Sequence, residues 1–344
     1  MFHQNINLPL IIESVCLKDL SLSRVFNSYN LSFNKVLILT GGPNSSKFAD
    51  QIADINQGLI SHIHKETDNS LELVSSLKSK VFDLKIDVIL GIGGGTVLDT
   101  AKFLATKTKI PYFAIPTVVS SDALASPISI LKNKERTKGY SSQIPSGILI
   151  DYEVISQSGR GHIQSGLGDI LSNLSALNDW DLAVKAEKAK PNNFARFLSE
   201  VAVTNIINQD IKISEPEFIK TYINSIIISG LAMNISGNSR PCSGSEHLLA
   251  HALEKFAVDD KPHGLLVGAL TPFCLYLQKQ LQEKVFEKFK ELKLTELTSA
   301  LLSSIDLQAL LETAKSIRGN RYTVLNEYSP TEIQRKYSEF CKLI

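Results

Sequence analysis

The 344-residue sequence has no excess of charge of either sign, because 36 lysines and arginines are balanced by 35 aspartates and glutamates. A chain without a net basic field does not attract nucleic acid or an anionic membrane surface over long range. We therefore expect no nucleic-acid partner. A local anion-binding site is compatible with this balance.

Long apolar runs are also missing. No stretch of about 18 uncharged apolar residues occurs, so we expect no membrane insertion. The N-terminal segment holds a short apolar run, but neither a basic leading region nor a convincing small-residue cleavage site, which argues against a secretion signal. Together these features predict a cytoplasmic protein.

Cysteine is scarce, and no two cysteines form a C-x-x-C pair. The four positions are widely separated: Cys16, Cys242, Cys274 and Cys341. This scatter favours reduced thiols in a cytoplasmic protein over a disulfide framework or a thiolate zinc site. We expect all four to be buried as small hydrophobic side chains.

Chain length and the order of apolar patterns predict two domains. Within residues 1–160, compact apolar runs typical of buried parallel strands occur at 35–42, 86–95, 110–117 and 147–155. The stretch TVLDTAKFLATKTK, between the second and third runs, has the apolar spacing of one helix face. Strand, glycine turn, helix and strand form a βαβ unit, so we predict a Rossmann-like α/β domain with a parallel sheet.

The strand patterns fade after residue 160. Residues 161–344 consist of apolar and amphipathic stretches with helical spacing. We predict an all-α C-terminal domain there.

A glycine-rich loop ends the second predicted strand and opens the predicted helix. Its central residues are Gly93, Gly94, Gly95 and Thr96. Consecutive glycines let backbone amides approach an anion, and the helix N-terminus adds partial positive charge, so a pyrophosphate is the expected occupant. The spacing differs from the usual G-x-G-x-x-G fingerprint. A tight turn without a ligand is the alternative.

A hydroxyl-rich loop, IPTVVSSD, follows the next predicted strand. Ligands of open parallel sheets lie beyond the carboxyl ends of the strands, so this loop is a second candidate for ligand contacts. The alternative is that its serine, threonine and aspartate side chains cap the following helix.

Histidines are concentrated in one short region of the second half. His247 and His251 are four residues apart and share one face of a predicted helix, and His263 opens the next one. With Asp169, one carboxylate and two imidazoles with an open position would make a catalytic metal site. The spacing does not decide which two histidines bind, nor does it exclude Glu246 or His162. Ordinary surface or core histidines are the alternative.

Five segments, in order, resemble the signatures of the sn-glycerol-1-phosphate dehydrogenase family. They are GIGGGTVLDTAKFLA, IPTVVSSDALASPISI, SGLGDILSNLSALNDW, NSRPCSGSEHLLAHALE and HGLLVGALT. The family is part of a metal-dependent group with iron-type alcohol dehydrogenases, glycerol dehydrogenase and dehydroquinate synthase. The resemblance implies a dehydroquinate synthase-like fold and a homo-oligomer.

The same resemblance implies an activity in phospholipid biosynthesis. The reaction would be the interconversion of dihydroxyacetone phosphate and sn-glycerol 1-phosphate by hydride transfer. The cofactors would be NAD or NADP and one divalent metal, with zinc favoured over nickel or iron.

The resemblance also assigns roles residue by residue. The dinucleotide would be bound by Gly93, Gly94, Gly95, Thr96, Asp99, Thr117, Ser120 and Ser126. The metal ligands would be Asp169, His247 and His263. The substrate would contact Asp122, Asp169 and His251, of which Asp122 and His251 are the catalytic candidates.

Substrate identity depends on residues that the resemblance does not fix. Arg240 is a candidate for binding the substrate phosphate because its planar fork suits that anion, the alternative being a surface ion pair. Ser121 stands where many family members carry histidine, and Ala123 where glycine is usual. The segment TGGPNSSK at 40–47 has neither an acidic ribose anchor nor a clear phosphate-binding arginine, which is compatible with either NAD or NADP.

Three other functions are compatible with the sequence. The first is a glycerol-type polyol dehydrogenase, or another alcohol dehydrogenase of the same fold. The second is a cyclising lyase like dehydroquinate synthase, which would give no net change in NADH. The third is a non-catalytic dinucleotide-binding protein, against which the complete set of metal-ligating residues argues.

Overall fold

The computed structural model describes residues 8–9, 11–134, 136–256 and 261–343. The chain divides into two compact units. The first unit comprises the residues up to Val119 together with Ala123–Gly159. The second comprises Ser120–Asp122 and the chain from Arg160 onward.

The first unit is built on a parallel sheet. Its strands are β1 (Ile11–Ser14), β2 (Val36–Thr40), β3 (Ile60–His64), β4 (Val88–Gly93), β5 (Tyr112–Pro116), β6 (Ile128–Asn133), β7 (Arg136–Ser141) and β8 (Gly147–Ile150). Its helices are α1 (Leu22–Ser28), α2 (Pro43–Ile55), α3 (Leu71–Asp83), α4 (Gly95–Thr108) and α5 (Tyr152–Ser156). The sheet order in the described residues is β1-β8-β5-β4-β2-β3, with every neighbouring pair parallel, and β6 and β7 form an antiparallel hairpin.

The predicted α/β organisation is confirmed. The four predicted strands form β2, β4, β5 and β8, whose residues are buried along their whole length, and the predicted helix forms α4. A strand covered on both faces needs such a continuous apolar run. The fourth run ends earlier than predicted, because the side chain of Asp151 accepts hydrogen bonds from Glu153 N and Val154 N and so starts α5.

The second unit is helical from residue 160. Its helices are α6 (Arg160–Lys185), α7 (Asn193–Ile207), α8 (Pro216–Ser236), α9 (Ser245–Lys255), α10 (His263–Leu277), α11 (Glu283–Glu291), α12 (Leu294–Ser303), α13 (Leu307–Ile317) and α14 (Pro330–Phe340). Apolar side chains from α9, α10, α13 and α14 share one buried core.

Helices α6 and α10 approach each other at glycines. A Cβ atom added to Gly168 would lie 2.3 Å from the carbonyl oxygen of Gly264, and one added to Gly268 would lie 2.6 Å from the Cα atom of Gly168. Only glycine allows backbones this close. The crossing fixes the next residue of α6, Asp169, near the start of α10, where His263 is the first residue.

Helix α8 is long and apolar enough, by length and composition alone, to cross a membrane. Of its most apolar stretch, 61% is buried within the fold. Buried core helices of soluble proteins meet the same criteria, so α8 is weak evidence of a membrane span.

The expectation that all four cysteines are buried is wrong for two of them. Cys242 and Cys274 are buried, whereas Cys16 and Cys341 are exposed, and all four are free thiols. The exposed pair lies at the ends of elements, Cys16 before a short 3-10 turn and Cys341 after α14.

Candidate metal and nucleotide sites

The glycine loop leads directly from β4 into α4. Gly94 is the residue before the helix, with φ −90° and ψ −171°, and no side chain among the described residues caps the first turn. A Cβ atom at Gly93 would lie 2.8 Å from Val97 Cγ2, so packing alone requires that glycine. At Gly94, however, a Cβ atom would come within 4 Å only of Val118, at 3.7 Å, among the described residues.

The glycine at position 94 therefore is not explained by packing within the unit. It leaves a backbone that a ligand can approach, beside first-turn amides that have no partner within the helix. Thr96, in this turn, is exposed. The loop fits the phosphates of a dinucleotide, as the sequence predicts.

Asp99 is directed into the protein. Its carboxylate is buried, lies 3.0 Å from the ammonium of Lys102, and accepts a hydrogen bond from Ile130 N at 3.0 Å. Burial raises the pKa of Asp99, and Lys102 opposes that rise. Lys102 is itself fully buried and donates to the carbonyls of Ala123 and Ser126. Through these hydrogen bonds, Asp99 and Lys102 hold the loop that leads into β6. The predicted contact of Asp99 with a nucleotide stays a prediction.

The loop after β5 supplies the remaining nucleotide candidates. Thr117 N donates to Gly93 O at 3.0 Å, which ties the loop to the end of β4. The hydroxyl of Ser126 is buried and donates to Ile128 O at 3.3 Å. The carbonyl of Ser120 accepts from the hydroxyl of Ser165 at 2.9 Å, within the second unit.

The three histidines and Asp169 come together within the second unit. His247 Nε2 lies 3.6 Å from Asp169 Oδ1. The ring of His263 is centred 5.4 Å from that of His247 and 5.0 Å from that of His251. Asp169 Oδ2 also accepts from the backbone N of Asp122 at 3.0 Å, so the substrate-binding candidates of the resemblance adjoin one another.

Two glutamates hold the Nδ1 atoms of these histidines. Glu246 Oε1 lies 3.0 Å from His247 Nδ1, and the two oxygens of Glu254 lie 2.9 Å from His251 Nδ1 and 2.6 Å from His263 Nδ1. A carboxylate behind an imidazole fixes the ring and leaves Nε2 for a metal or a substrate. Sequence reasoning missed Glu254, although its position three residues after His251 places it on the same helix face.

The electrostatics of the cluster favour a cation. Burial lowers the pKa of His247, but hydrogen bonds and charges from Asp169 and Glu246 outweigh burial and raise that pKa to about 9. Burial raises the pKa of Asp169, and His247 more than reverses the effect. Buried carboxylates that hold a proton on an imidazole can hold a divalent cation in its place, so the donor set fits a metal.

Two alternatives from the sequence remain, namely His162 as a metal ligand and a surface ion pair as the role of Arg240. His162 is exposed in the first turn of α6. Arg240 is partly buried, and its guanidinium donates to the carbonyl of Tyr322 at 3.3 Å. The described residues show no ion pair for Arg240, so the surface ion pair considered as its alternative is absent from that part of the chain.

Comparison with known proteins identifies the fold and the family. Residues 20–158 match the family model of iron-containing alcohol dehydrogenases. A probable glycerol dehydrogenase from Sinorhizobium meliloti 1021 has a similar structure, with a TM-score of 0.76 at 15% identity over 97% of both chains. An iron-containing alcohol dehydrogenase from Thermotoga maritima gives 0.69 at 19% identity, over 97% of this chain and 98% of that chain. These likenesses confirm the predicted fold class.

Curated relatives are more similar in sequence. A glycerol-1-phosphate dehydrogenase (NAD(P)+) of Thermoplasma acidophilum is 31% identical over 303 residues, which cover 86% of each chain. A protein of the same name from Thermococcus sibiricus is 32% identical over 337 residues, covering 95% of this chain and 94% of that one. The chain therefore belongs to the glycerol-1-phosphate dehydrogenase family of NAD(P)-linked oxidoreductases acting on a CH–OH group.

Proposed function

We propose that this protein interconverts dihydroxyacetone phosphate and sn-glycerol 1-phosphate with NAD or NADP. The observation that carries the proposal is the cluster of Asp169, His247 and His263, with Glu246 and Glu254 behind the imidazoles. It occurs in a chain whose curated relatives are named for this reaction.

Asp169, His247 and His263 would hold one divalent metal. A different group, His251, Glu254 and His263, has its ligand atoms within 4.8 Å of one another. Glu254, however, already accepts from two imidazoles, and its side chain is 39% exposed, whereas those of Asp169 and His247 are 9% and 12% exposed. Since His263 is common to both groups, the buried Asp169 and His247 make the first group the better metal site.

A divalent metal bound there would supply Lewis acidity, which polarises a ketone and lowers the pKa of an alcohol. The donor set of one carboxylate and two imidazoles suits zinc, and also nickel or iron. We propose zinc. Elemental analysis of protein purified without added metal tests that choice.

His251 would contact the substrate instead of the metal. Its Nδ1 atom donates to Glu254 at 2.9 Å, which leaves Nε2 to accept a hydrogen bond from a substrate hydroxyl. Burial lowers the pKa of His251 to about 4, so the neutral ring would accept the alcohol proton in the direction of oxidation. Asp122 would contact the substrate from the neighbouring segment, since its backbone N is hydrogen-bonded to Asp169. Ser121 adjoins Asp122, so its departure from the family pattern bears on substrate choice.

The first unit would bind the dinucleotide. The amides at Gly94, Gly95 and Thr96 would receive the pyrophosphate at the start of α4, with Thr117 and Ser126 of the same unit as further contacts. Hydride transfer itself is the chemistry of the nicotinamide. Because the segment after β2 shows no acidic ribose anchor, we propose use of both NAD and NADP.

Two further expectations stay proposals. We propose that the protein is cytoplasmic, as the widely separated cysteines predict, and that it forms a homo-oligomer, as the family resemblance implies. Light scattering coupled to size-exclusion chromatography measures the second directly, and a monomer at micromolar concentration would contradict it.

The test is oxidation of NADH and NADPH with dihydroxyacetone phosphate and, in parallel, with dihydroxyacetone. Metal-reconstituted protein is compared with chelator-treated protein. We expect metal-dependent turnover that requires the phosphorylated ketone. Equal turnover of the unphosphorylated ketone would instead make the protein a polyol dehydrogenase, and consumption of a substrate without net change in NADH would indicate a lyase.

A further inference from the structure

Arginines from two distant segments meet around one hydroxyl in the second unit. Arg318 Nη1 and Arg321 Nη1 donate to Ser239 Oγ at 3.0 and 3.1 Å. Arg240, the residue after Ser239, donates to the carbonyl of Tyr322 at 3.3 Å. Two guanidinium groups that share one oxygen are close enough to repel each other, and the third joins the same two segments.

These cations have no carboxylate partner in the described part of the chain. None of the three guanidinium groups has a carboxylate oxygen within 4.0 Å there. The Nε–H of Arg321 is buried and has no hydrogen-bond partner among the described residues. Burial lowers the pKa of Arg321 to about 9, and the charges of Arg318 and Arg240 add to that effect. The carboxylates of Glu246 and Asp179, which lie beyond ion-pair distance, only partly oppose it. Three arginines without a carboxylate at ion-pair distance, one of them almost fully buried, would be stabilised by an anion that contacts them directly.

The cluster has a fixed position relative to the metal cluster. Arg321 Nη2 donates to the carbonyl of Ser243, which is four residues before His247. Asp179 accepts from Ser245 N at 2.6 Å and from Val324 N at 2.7 Å, so one buried carboxylate joins the start of α9 to the segment that follows Arg321. The arginines therefore pack against the segment that leads into α9, the helix that carries His247.

We infer that Arg318 and Arg321, together with Arg240, bind the phosphate group of the substrate. The inference rests on the proposed function. A phosphate monoester carries negative charge that can pair directly with the cluster, and planar guanidinium forks match its oxygens in pairs. Arg240 was a candidate from sequence. Arg318 and Arg321 were not, because nothing local in R-G-N-R shows that this turn packs against residues 239–243.

The competing explanation is that the arginines only tie two segments together. Arg318→Gln distinguishes the two explanations, because the side chain of Arg318 makes a single hydrogen bond in the described residues, whereas Arg321 also donates to the carbonyl of Ser243. Arg318→Lys keeps the positive charge but loses the planar guanidinium group that can pair with two phosphate oxygens. Arg335→Gln, on the exposed face of α14, is the matched control.

The experiment combines calorimetric titration of the metal-loaded protein with inorganic phosphate and steady-state kinetics with dihydroxyacetone phosphate. For Arg318→Gln we expect phosphate affinity to fall, and KM to rise, about ten- to hundredfold, the effect of losing a charged hydrogen bond. The change in kcat should be smaller, and Arg318→Lys should recover part of the affinity. Arg321→Gln should show the same loss, with metal content and circular dichroism reporting its fold.

Two results would overturn the inference. One is wild-type phosphate affinity and KM in Arg318→Gln. The other is a wild-type protein that binds no phosphate and does not discriminate between phosphorylated and unphosphorylated ketone. Phosphate binding that depends on Arg318, in a protein that does not reduce dihydroxyacetone phosphate, would support the anion site and overturn the proposed reaction instead.

Discussion

Glu246 Oε1 lies 3.0 Å from His247 Nδ1, and the glutamate carboxylate is completely buried behind the imidazole. We predict that Glu246→Gln weakens metal affinity about 10- to 100-fold, because the ring loses the anion that fixes its tautomer and raises its basicity. Competition with a chelating dye measures the affinity. Glu312→Gln, at an exposed position of α13, should retain wild-type affinity, and equal affinities in the two variants would contradict the role of Glu246.

The close approach of α6 and α10 at their glycines should contribute to the free energy of unfolding. Gly168→Ala places a methyl group 2.3 Å from the carbonyl oxygen of Gly264, so the helices must separate. We expect the free energy of unfolding to fall by about 1–3 kcal/mol, and metal retention to fall with it, since Asp169 follows Gly168. Urea unfolding of the metal-loaded protein measures the first.

The control for that crossing lies on the same helix. A Cβ atom at Gly161 would have no described atom within 4 Å. Gly161→Ala should therefore leave the free energy of unfolding unchanged or raise it by up to about 1 kcal/mol, because alanine favours a helix. Equal destabilisation by the two substitutions would show that the crossing is not tight.

Gly94→Ala tests the nucleotide loop without disturbing its packing. The added methyl group meets only Val118, at 3.7 Å, among the described residues, so the protein should fold normally. If backbone at this position contacts a pyrophosphate, the methyl group occupies that space, and we expect the Kd for NADH to rise about tenfold or more. Fluorescence titration with NADH measures it, and unchanged affinity would remove Gly94 from the site.

Asp99 and Lys102 form a buried ion pair, so we expect substitutions at the two positions to have strongly coupled effects on the free energy of unfolding. Lys102→Met leaves the carboxylate of Asp99 buried without its cation, and we expect a loss of about 3–5 kcal/mol in the free energy of unfolding. Adding Asp99→Asn removes the stranded charge and should restore part of the stability. A double variant as unstable as the sum of the singles would show that the pair is not coupled.

Local features of the molecule could be predicted from the sequence. The strands β2, β4, β5 and β8 can be predicted from their apolar runs alone, because a strand that is buried on both faces is apolar at nearly every position. The glycine loop is predictable because strand, turn and helix are adjacent in the chain. His247 and His251 share a face because four residues make about one helical turn.

Contacts between distant segments required the tertiary structure. The approach of Asp169 to the start of α10, where His263 lies, depends on a crossing of α6 and α10 that glycines permit but no local pattern shows. The inward orientation of Asp99 depends on Lys102 and Ile130, and the cluster of Arg318 and Arg321 depends on a hydroxyl about eighty positions earlier, Ser239. The sequence by itself determined which residue types are present and the local elements that carry them. Only the packing of those elements decided which side chains share a site, because that choice depends on the shapes of surfaces far apart in the chain.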